Sequence, residues 1–269
     1  FLFFQSQLPN AWKISGMLIG VYTGGTPNLN AIGLSLGIDS EIFVIMNAGD
    51  LLFGGIWLVF LLSLAQKSYE LFLPKSQIQA KDWQGEQSLE SFRWSSALVA
   101  LGLSLAILGL ALGVSWLFFQ KVEEVVVILS ITSLGVLASL SPRVRALEGS
   151  YLLGNYLLMV FCLAIGSIVN LEKLLMSGGV ILAYIGMVML GAIVIHGLLA
   201  YLFKIDADTV IITSTAGLYG PAFIAPISKT LGNPYLLPLG IATALLGYGL
   251  ANYYGIAWAY LLKYATDLL

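Results

Sequence analysis

Apolar residues along this chain fall into long blocks separated by short polar breaks, and most blocks approach the roughly 20 residues that a membrane-crossing helix needs. The first block, Ala11 to Leu36, is interrupted by Gly20-Val21-Tyr22-Thr23-Gly24-Gly25-Thr26-Pro27-Asn28-Leu29-Asn30-Ala31. Two adjacent glycines and a proline leave backbone groups without helical partners, so this break must face protein or a hydrated cavity. A second span runs from Glu41 to Ala65 and carries Asn47 and Asp50 at membrane depth. Six further apolar segments follow: Ser96 to Phe119, Val125 to Leu140, Tyr151 to Leu171, Leu174 to Phe203, Thr209 to Leu231 and Tyr235 to Leu262. The segment from Thr209 is broken in turn, by Gly217-Leu218-Tyr219-Gly220-Pro221-Ala222-Phe223-Ile224-Ala225-Pro226.

The pattern predicts an all-α polytopic membrane protein of about eight transmembrane segments, two of them broken helices. Residues 1–66 form the end of a first repeat, 67–95 a linker, and 96–269 a second repeat whose broken helix covers 209–231. Phe1 to Leu8 reads as the tail of a helix whose start lies before this sequence, so further N-terminal helices are expected. Shifting the first half by 195 positions pairs Gly25 with Gly220, Gly37 with Gly232 and Gly54 with Gly249. If every segment crosses, the two broken spans run in the same direction, whereas transporters with paired broken helices commonly use inverted repeats. That leaves parallel repeats or a segment that does not cross, and Val125 to Leu140 is the shortest.

Composition agrees with the membrane class: 59% of the 269 residues are hydrophobic and 10% charged, against roughly 25% charged in soluble domains. A net charge of −2 without a basic cluster gives no footprint for nucleic acid. One cysteine, Cys162, excludes an internal disulfide and any multi-cysteine metal site; in an apolar helix it reads as a small packing residue. If all eight segments cross, nine of twelve lysines and arginines fall on one side, which puts the linker and the C-terminus in the cytoplasm.

Candidate chemistry gathers at the breaks. Interrupted helices present partial positive charge at one end and partial negative charge at the other, so a break can bind ions of either sign. Thr23, Gly24, Gly25, Thr26, Asn28 and Asn30 at the first break, with Tyr219, Gly220 and Pro221 at the second, are the expected substrate and ion residues. Asp50 is the sharpest single candidate, because a carboxylate in mid-span costs roughly 2.5–3.5 kcal/mol and is expected to face a cavity or a partner. It is expected to carry protons or to take part in a Na⁺ site, with Asn47 three residues earlier on the same helical face. Neither catalytic residues nor a protein-held metal centre is expected. The lone histidine, His196, reads as an interhelical hydrogen-bond partner or a proton relay.

The motif from Gly20 through Ala31, Asp50, the run Ala216 to Ala222, and Leu246-Gly247-Tyr248-Gly249 with Tyr254-Gly255 together resemble the bacterial and plastid membrane family known as domain of unknown function 819. The resemblance covers nearly the whole chain. It implies a place in the cation/proton antiporter and anion transporter superfamily, with broken helices in a core domain that works by alternating access against a panel domain. Three positions depart from that pattern: Tyr219 where a glycine is usual, Phe223 where a hydroxyl is usual, and Leu51 where asparagine often follows the aspartate.

The expected function is therefore an ion- or proton-coupled secondary transporter of a small polar or anionic solute. The alternative is a structural or assembly membrane subunit that keeps the transporter fold without transport. The expected partners are the lipid bilayer and a small-molecule solute, with room for a homodimer and no nucleic acid. The expected location is a bacterial inner membrane or a plastid membrane, with Na⁺ or H⁺ as coupling ion and no organic cofactor.

Overall fold

The computed structural model describes residues 1–8, 10–76, 93–168 and 178–268. The glutamine-rich part of the linker (77–92) and the Glu172-Lys173 turn lie outside the described residues, as does the side chain of Cys162. Among the described residues the regular structure is entirely helical.

The elements begin with α1 (Ala11–Gly24) and α2 (Thr26–Ser35). Next come α3 (Ser40–Ser63) and the short α4 (Ala65–Tyr69). After the linker come α5 (Trp94–Phe119), α6 (Glu124–Ser139), α7 (Pro142–Arg145) and α8 (Ser150–Ile168). The chain ends with α9 (Gly179–Leu202), α10 (Ala207–Tyr219), a 3₁₀ turn (Gly220–Phe223), α11 (Ile224–Leu231) and α12 (Leu236–Asp267).

Neither broken segment continues across the bundle; each folds back on itself. In the first, Lys13 Nζ donates to Gly37 O at 2.9 Å and Asn10 Nδ2 to Asp39 Oδ2 at 3.0 Å, which brings the start of α1 to the end of α2. Further in, Gly33 lies under Met17, and Gly20 under Ile32 and Asn28, the register of two antiparallel helices. A continuous helix of this length would hold Lys13 and Gly37 roughly 35 Å apart. The second segment closes in the same way. Asp208, at the start of α10, accepts from Asn233 Nδ2 at 3.1 Å and from Gln66 Nε2 at 2.9 Å, and that same Gln66 nitrogen reaches Leu231 O at 3.4 Å. The expectation of two broken crossing spans is thus corrected to two helical hairpins. The reason is the Gly-x-x turn chemistry: Gly25 (φ 85°, ψ −177°) and Gly220 (φ 67°, ψ −160°) both occupy a region that is essentially closed to residues with a Cβ. There the chain reverses where a helix would otherwise run on.

The two hairpins are copies of one unit. Under the shift of 195, the bond from Gly25 N to Val21 O maps onto that from Gly220 N to Ala216 O. The helix-ending bond from Ile38 N to Gly33 O (3.1 Å) maps onto Asn233 N to Ser228 O (3.2 Å), with Gly37 and Gly232 left-handed at the same place in each. This is the same C-terminal capping motif used twice.

They enter from opposite ends. The base of the first hairpin sits at the start of α3, through Asp39. The base of the second sits beyond the end of α3, through Gln66, through Asn233 Nδ2 to Ser76 Oγ (3.1 Å), and through Ala207 N to Pro74 O (2.9 Å). The 24 residues of α3 separate these bases by about 36 Å. An inverted pair results, and the conflict over direction disappears because hairpins do not change sides. A non-crossing Val125 to Leu140, observed as α6 (Glu124–Ser139), is not needed to explain it.

Among the described residues, five helices or helix pairs are long and apolar enough to cross a membrane, one of them, Ala207–Leu231, being the second hairpin, and Glu124–Ser139 and Leu152–Phe161 are shorter apolar helices. One further expectation changes. The end of α12 lies away from the linker: Tyr260 packs on Trp12 with ring centroids 5.8 Å apart, and Lys263 Nζ stands 5.3 Å from the same ring, beside the first hairpin's base. Linker and C-terminal helix end are therefore at opposite ends of the bundle, not on one side. In sealed vesicles, a membrane-impermeant thiol reagent is expected to label Lys75→Cys and Lys263→Cys from opposite sides; labelling of both from the same side would contradict this fold.

The core sits around the hairpins. Ile14, Met17, Val21, Leu29, Ile32 and Met46 are fully buried in one cluster, and Val210, Ile211, Ile212, Ile224 and Ile227 in another. Tyr69 and Leu73, on the linker side of α4, are buried in the second cluster, so the linker's first residues are part of the packed body. Asp208 is also buried, although a charge at that edge would be expected to be solvated. Two neutral amides and the N-terminal end of α10 hold it.

Small residues let the first hairpin press against α12. Gly16, Gly20 and Gly24 recur every four residues on α1, as do Gly247, Ala251, Gly255 and Ala259 on α12. A Cβ on Gly16 would meet Gly255 O at 2.7 Å, and one on Gly24 would meet the Ala251 methyl at 2.8 Å. Close backbone approach of this kind is how helices associate where lipid removes the hydrophobic drive. By contrast Gly102, Gly109 and Gly113 meet nothing within 4 Å among the described residues.

Candidate functional site

The hairpin tips touch. A Cβ built on Gly25 would lie 3.4 Å from Gly220 N, and one on Gly220 would strike the Tyr248 ring of α12 at 2.5 Å. The two breaks, 195 residues apart, thus share one point in the middle of the bundle, walled by α3 on one side and α12 on the other.

Asp50 stands at this point, roughly halfway along α3. Its Oδ2 accepts from Thr26 Oγ1 at 2.8 Å, and Thr26 is the first residue of α2. The carboxylate therefore faces the positive end of the ten-residue α2 helix. Tyr219 Oη donates to Gly54 O at 2.6 Å, one turn further along α3. The phenols of Tyr22 and Tyr219 both lie within electrostatic reach of Asp50.

On the other side of the tip, Asn28 is buried. Its Nδ2 donates to Tyr248 O (3.1 Å) and to Asn252 Oδ1 (3.0 Å). Asn252 Nδ2 passes the chain on to Thr132 Oγ1 of α6 at 2.9 Å. This directed run of amides pins the tip of the first hairpin to α12 and α6.

The expected residues divide accordingly. Thr26, Asp50, Gly25, Gly220 and Tyr219 meet at the crossing, and Pro221 opens the turn beside it. Gly24 packs under Asn28 and against Ala251, serving the fit of the hairpin to α12. Thr23 contributes its carbonyl, which rests on Gly247. Asn30 is 4% exposed, and neither atom of its amide has a partner among the described residues. Asn47 donates to Phe43 O of its own helix at 2.9 Å, so its amide is turned back on α3 and not toward Asp50. Thr243, also on α12, is half-buried and bonds its own helix at Leu239.

Sequence reasoning did not single out Tyr22, Tyr248 or Thr132. Tyr22 sits inside the glycine-rich motif, where its position just before the turn was the available signal. Tyr248 stands in the Leu246-Gly247-Tyr248-Gly249 motif, whereas Thr132 carried no signal, because it matters only through what the fold sets beside it.

A second feature adjoins the tips. A cavity of about 220 Å³ lies between α9, α10 and the end of α1, and includes His196 and Tyr22 in its lining. His196 Nε2 is 3.3 Å from Thr213 Oγ1, the interhelical hydrogen bond expected of a lone intramembrane histidine.

Apolar helices of spanning length and paired hairpins with small-residue packing define a polytopic α-helical membrane protein. The chain belongs to the family described as protein of unknown function (DUF819), whose model matches residues 1–265. It is also similar to "Uncharacterized membrane protein YjcL" of Bacillus subtilis (strain 168), with 22% identity over 279 residues, covering 95% of this chain and 69% of the relative. No solved structure matches.

Proposed function

We propose that the protein is an ion- or proton-coupled secondary transporter of a small polar solute, belonging by resemblance to the cation/proton antiporter and anion transporter superfamily. The observation that carries this reading is the meeting of two inverted, glycine-tipped hairpins at Gly25 and Gly220 beside Asp50. Helix ends brought together inside a bundle leave partial charges and backbone groups at a point that lipid cannot solvate. A carboxylate placed there gives a coupling ion its counter-charge, and the hydroxyl of Thr26 adds a hard oxygen of the kind Na⁺ favours. Alternating access follows from the symmetry, since each hairpin closes the path from its own end. The fall of eight of the twelve lysines and arginines at the linker end of this topology supports a cytoplasmic reading of that end.

The reading is tested on purified protein by melting curves with and without Na⁺ and across pH, followed by flux into vesicles. A coupling ion stabilises the folded state it binds. Stabilisation by Na⁺ or by protonation, with solute flux only when the matching gradient is imposed, is the expected result. Protein that melts identically under all conditions and moves no solute would fit the structural-subunit alternative.

A further inference from the structure

Two asparagines stand two residues apart on α2, and the fold treats them differently. Asn28 Nδ2 is bonded to Tyr248 O and to Asn252 Oδ1. Asn30 is equally buried, yet neither its Oδ1 nor its Nδ2 has a hydrogen-bond partner among the described residues. A buried amide in that condition gives up its hydrogen bonds to water and gains none in return. What answers a group so enclosed is at most an ion or a water. Its place in the fold decides between them. Two contacts fix the register of α2 against α3: Thr26 Oγ1 donates to Asp50 Oδ2 at 2.8 Å, and a Cβ on Gly33 would lie 3.0 Å from the Phe43 ring. The helices therefore run antiparallel, and Asn30, one turn beyond Thr26 on the same face, comes opposite Met46, one turn before Asp50. Side chains lean toward the N-terminus of their own helix, so in this pair Asn30 leans back toward Thr26 and Asp50 leans toward Asn30. Burial deepens along the strip, with Thr26 and Asp50 half-buried at the crossing and Asn30 and Met46 sealed one turn further in. The Thr26 hydroxyl keeps its lone pairs after giving its hydrogen to Asp50, and Asp50 Oδ1 accepts no hydrogen bond among the described residues.

We propose that Asn30 Oδ1 is a ligand of a Na⁺ ion held between α2 and α3, with the Asp50 carboxylate and the Thr26 hydroxyl as its other protein ligands. This rests on the transporter reading above and narrows its coupling ion from Na⁺ or H⁺ to Na⁺. A proton needs Asp50 alone and leaves the Asn30 amide unanswered. Na⁺ takes hard oxygens, and the facing turns supply one charged and two neutral. One carboxylate balances one monovalent charge; a divalent ion here would leave a net charge inside the bundle. Waters retained by the ion complete its shell, and one of them accepts from Asn30 Nδ2. The ion enters at the half-buried crossing and stops against the sealed amide. Asn47 takes no part, because its amide is committed to Phe43 O of its own helix. A water without an ion would also satisfy the Asn30 amide, but it would respond to no cation.

The test uses purified full-length protein at one fixed alkaline pH, with choline chloride holding ionic strength constant, and follows melting across a Na⁺ titration with K⁺ in parallel. The parent protein is expected to be stabilised by Na⁺, with K⁺ acting at about tenfold higher concentration or more, because the enclosed ligand set favours the smaller ion. Asn30→Leu keeps the branched shape and removes both polar ends. It is expected to weaken the apparent Na⁺ affinity by about tenfold or more, yet to melt no lower than the parent in choline alone, since an unpaired amide has been removed. Asn30→Ala is an independent variant with the same expected loss of affinity, and Asn30→Asp, which keeps the oxygen, is expected to retain the Na⁺ response. A packing role for Asn30 would instead lower melting in choline and leave the Na⁺ affinity alone. Unchanged Na⁺ affinity in Asn30→Leu or Asn30→Ala, loss of it in Asn30→Asp, or a parent protein indifferent to Na⁺ would each overturn the assignment. Binding needs no transport, so a Na⁺ response lost in Asn30→Leu from a protein that moves no solute would fault the transporter reading alone. Solute flux driven by a proton gradient without Na⁺ would fault this site and leave the transporter reading standing.

Discussion

Asp50→Asn is expected to erase the dependence of stability on Na⁺ and pH while leaving the protein folded. Asparagine has the same shape, and its side-chain oxygen still accepts from Thr26 Oγ1, now 2.8 Å from the carboxylate. What it lacks is the negative charge that a coupling ion must meet. An ion present at 100 times its Kd stabilises its host by about 2.7 kcal/mol, and that increment is expected to disappear from the melting curve of the variant. In vesicles, solute movement is expected to become independent of the ion gradient or to stop. Full coupling in Asp50→Asn would remove the carboxylate from the mechanism and return it to the role of anchoring the tip of the first hairpin through Thr26.

The largest loss of stability is expected from one added methyl group, in Gly247→Ala. Gly247 of α12 is where the Thr23 carbonyl of the first hairpin comes down, and a Cβ there would run into that oxygen. Backbone cannot rotate aside as a long side chain does, so the hairpin must lift off α12. Lifting also disturbs Gly16 against Gly255, and the bonds from Asn28 to Tyr248 and Asn252. Overpacking of this kind costs about 1–3 kcal/mol, and Gly247 belongs at the upper end because its neighbour is backbone. Gly55→Ala, where an added Cβ meets nothing within 4 Å among the described residues, is the matched control and is expected to melt like the parent protein. Equal melting of the two variants would mean that α1 and α12 are not in the contact described.

Much of the architecture was legible before any coordinates. Helix limits such as Ser96 to Phe119 fall within two residues of α5, because lipid-length apolar runs with polar ends have few alternative conformations. The repeat was visible as glycines 195 apart, and its four most informative members, Gly25, Gly37, Gly220 and Gly232, are the positive-φ positions of the two hairpins. The contact of Thr26 with Asp50 joins two residues picked out separately by residue type. Asn47 was grouped with Asp50 by helical spacing, yet spacing places a residue on a face and does not say whether its amide bonds across or back to its own helix.

Composition and periodicity determined what kind of protein this is: a helical membrane protein with two glycine-governed interruptions and one carboxylate in mid-span. Those features are local, since apolar length, missing Cβ atoms and a buried charge act wherever the chain goes. Tertiary structure alone decided that each interruption is a reversal, that the hairpins enter from opposite ends, and that the C-terminal helix finishes away from the linker. Direction after a glycine turn depends on which distant surface receives the chain. Here the deciding contacts are Lys13 with Gly37, Asp208 with Asn233, and Thr23 against Gly247.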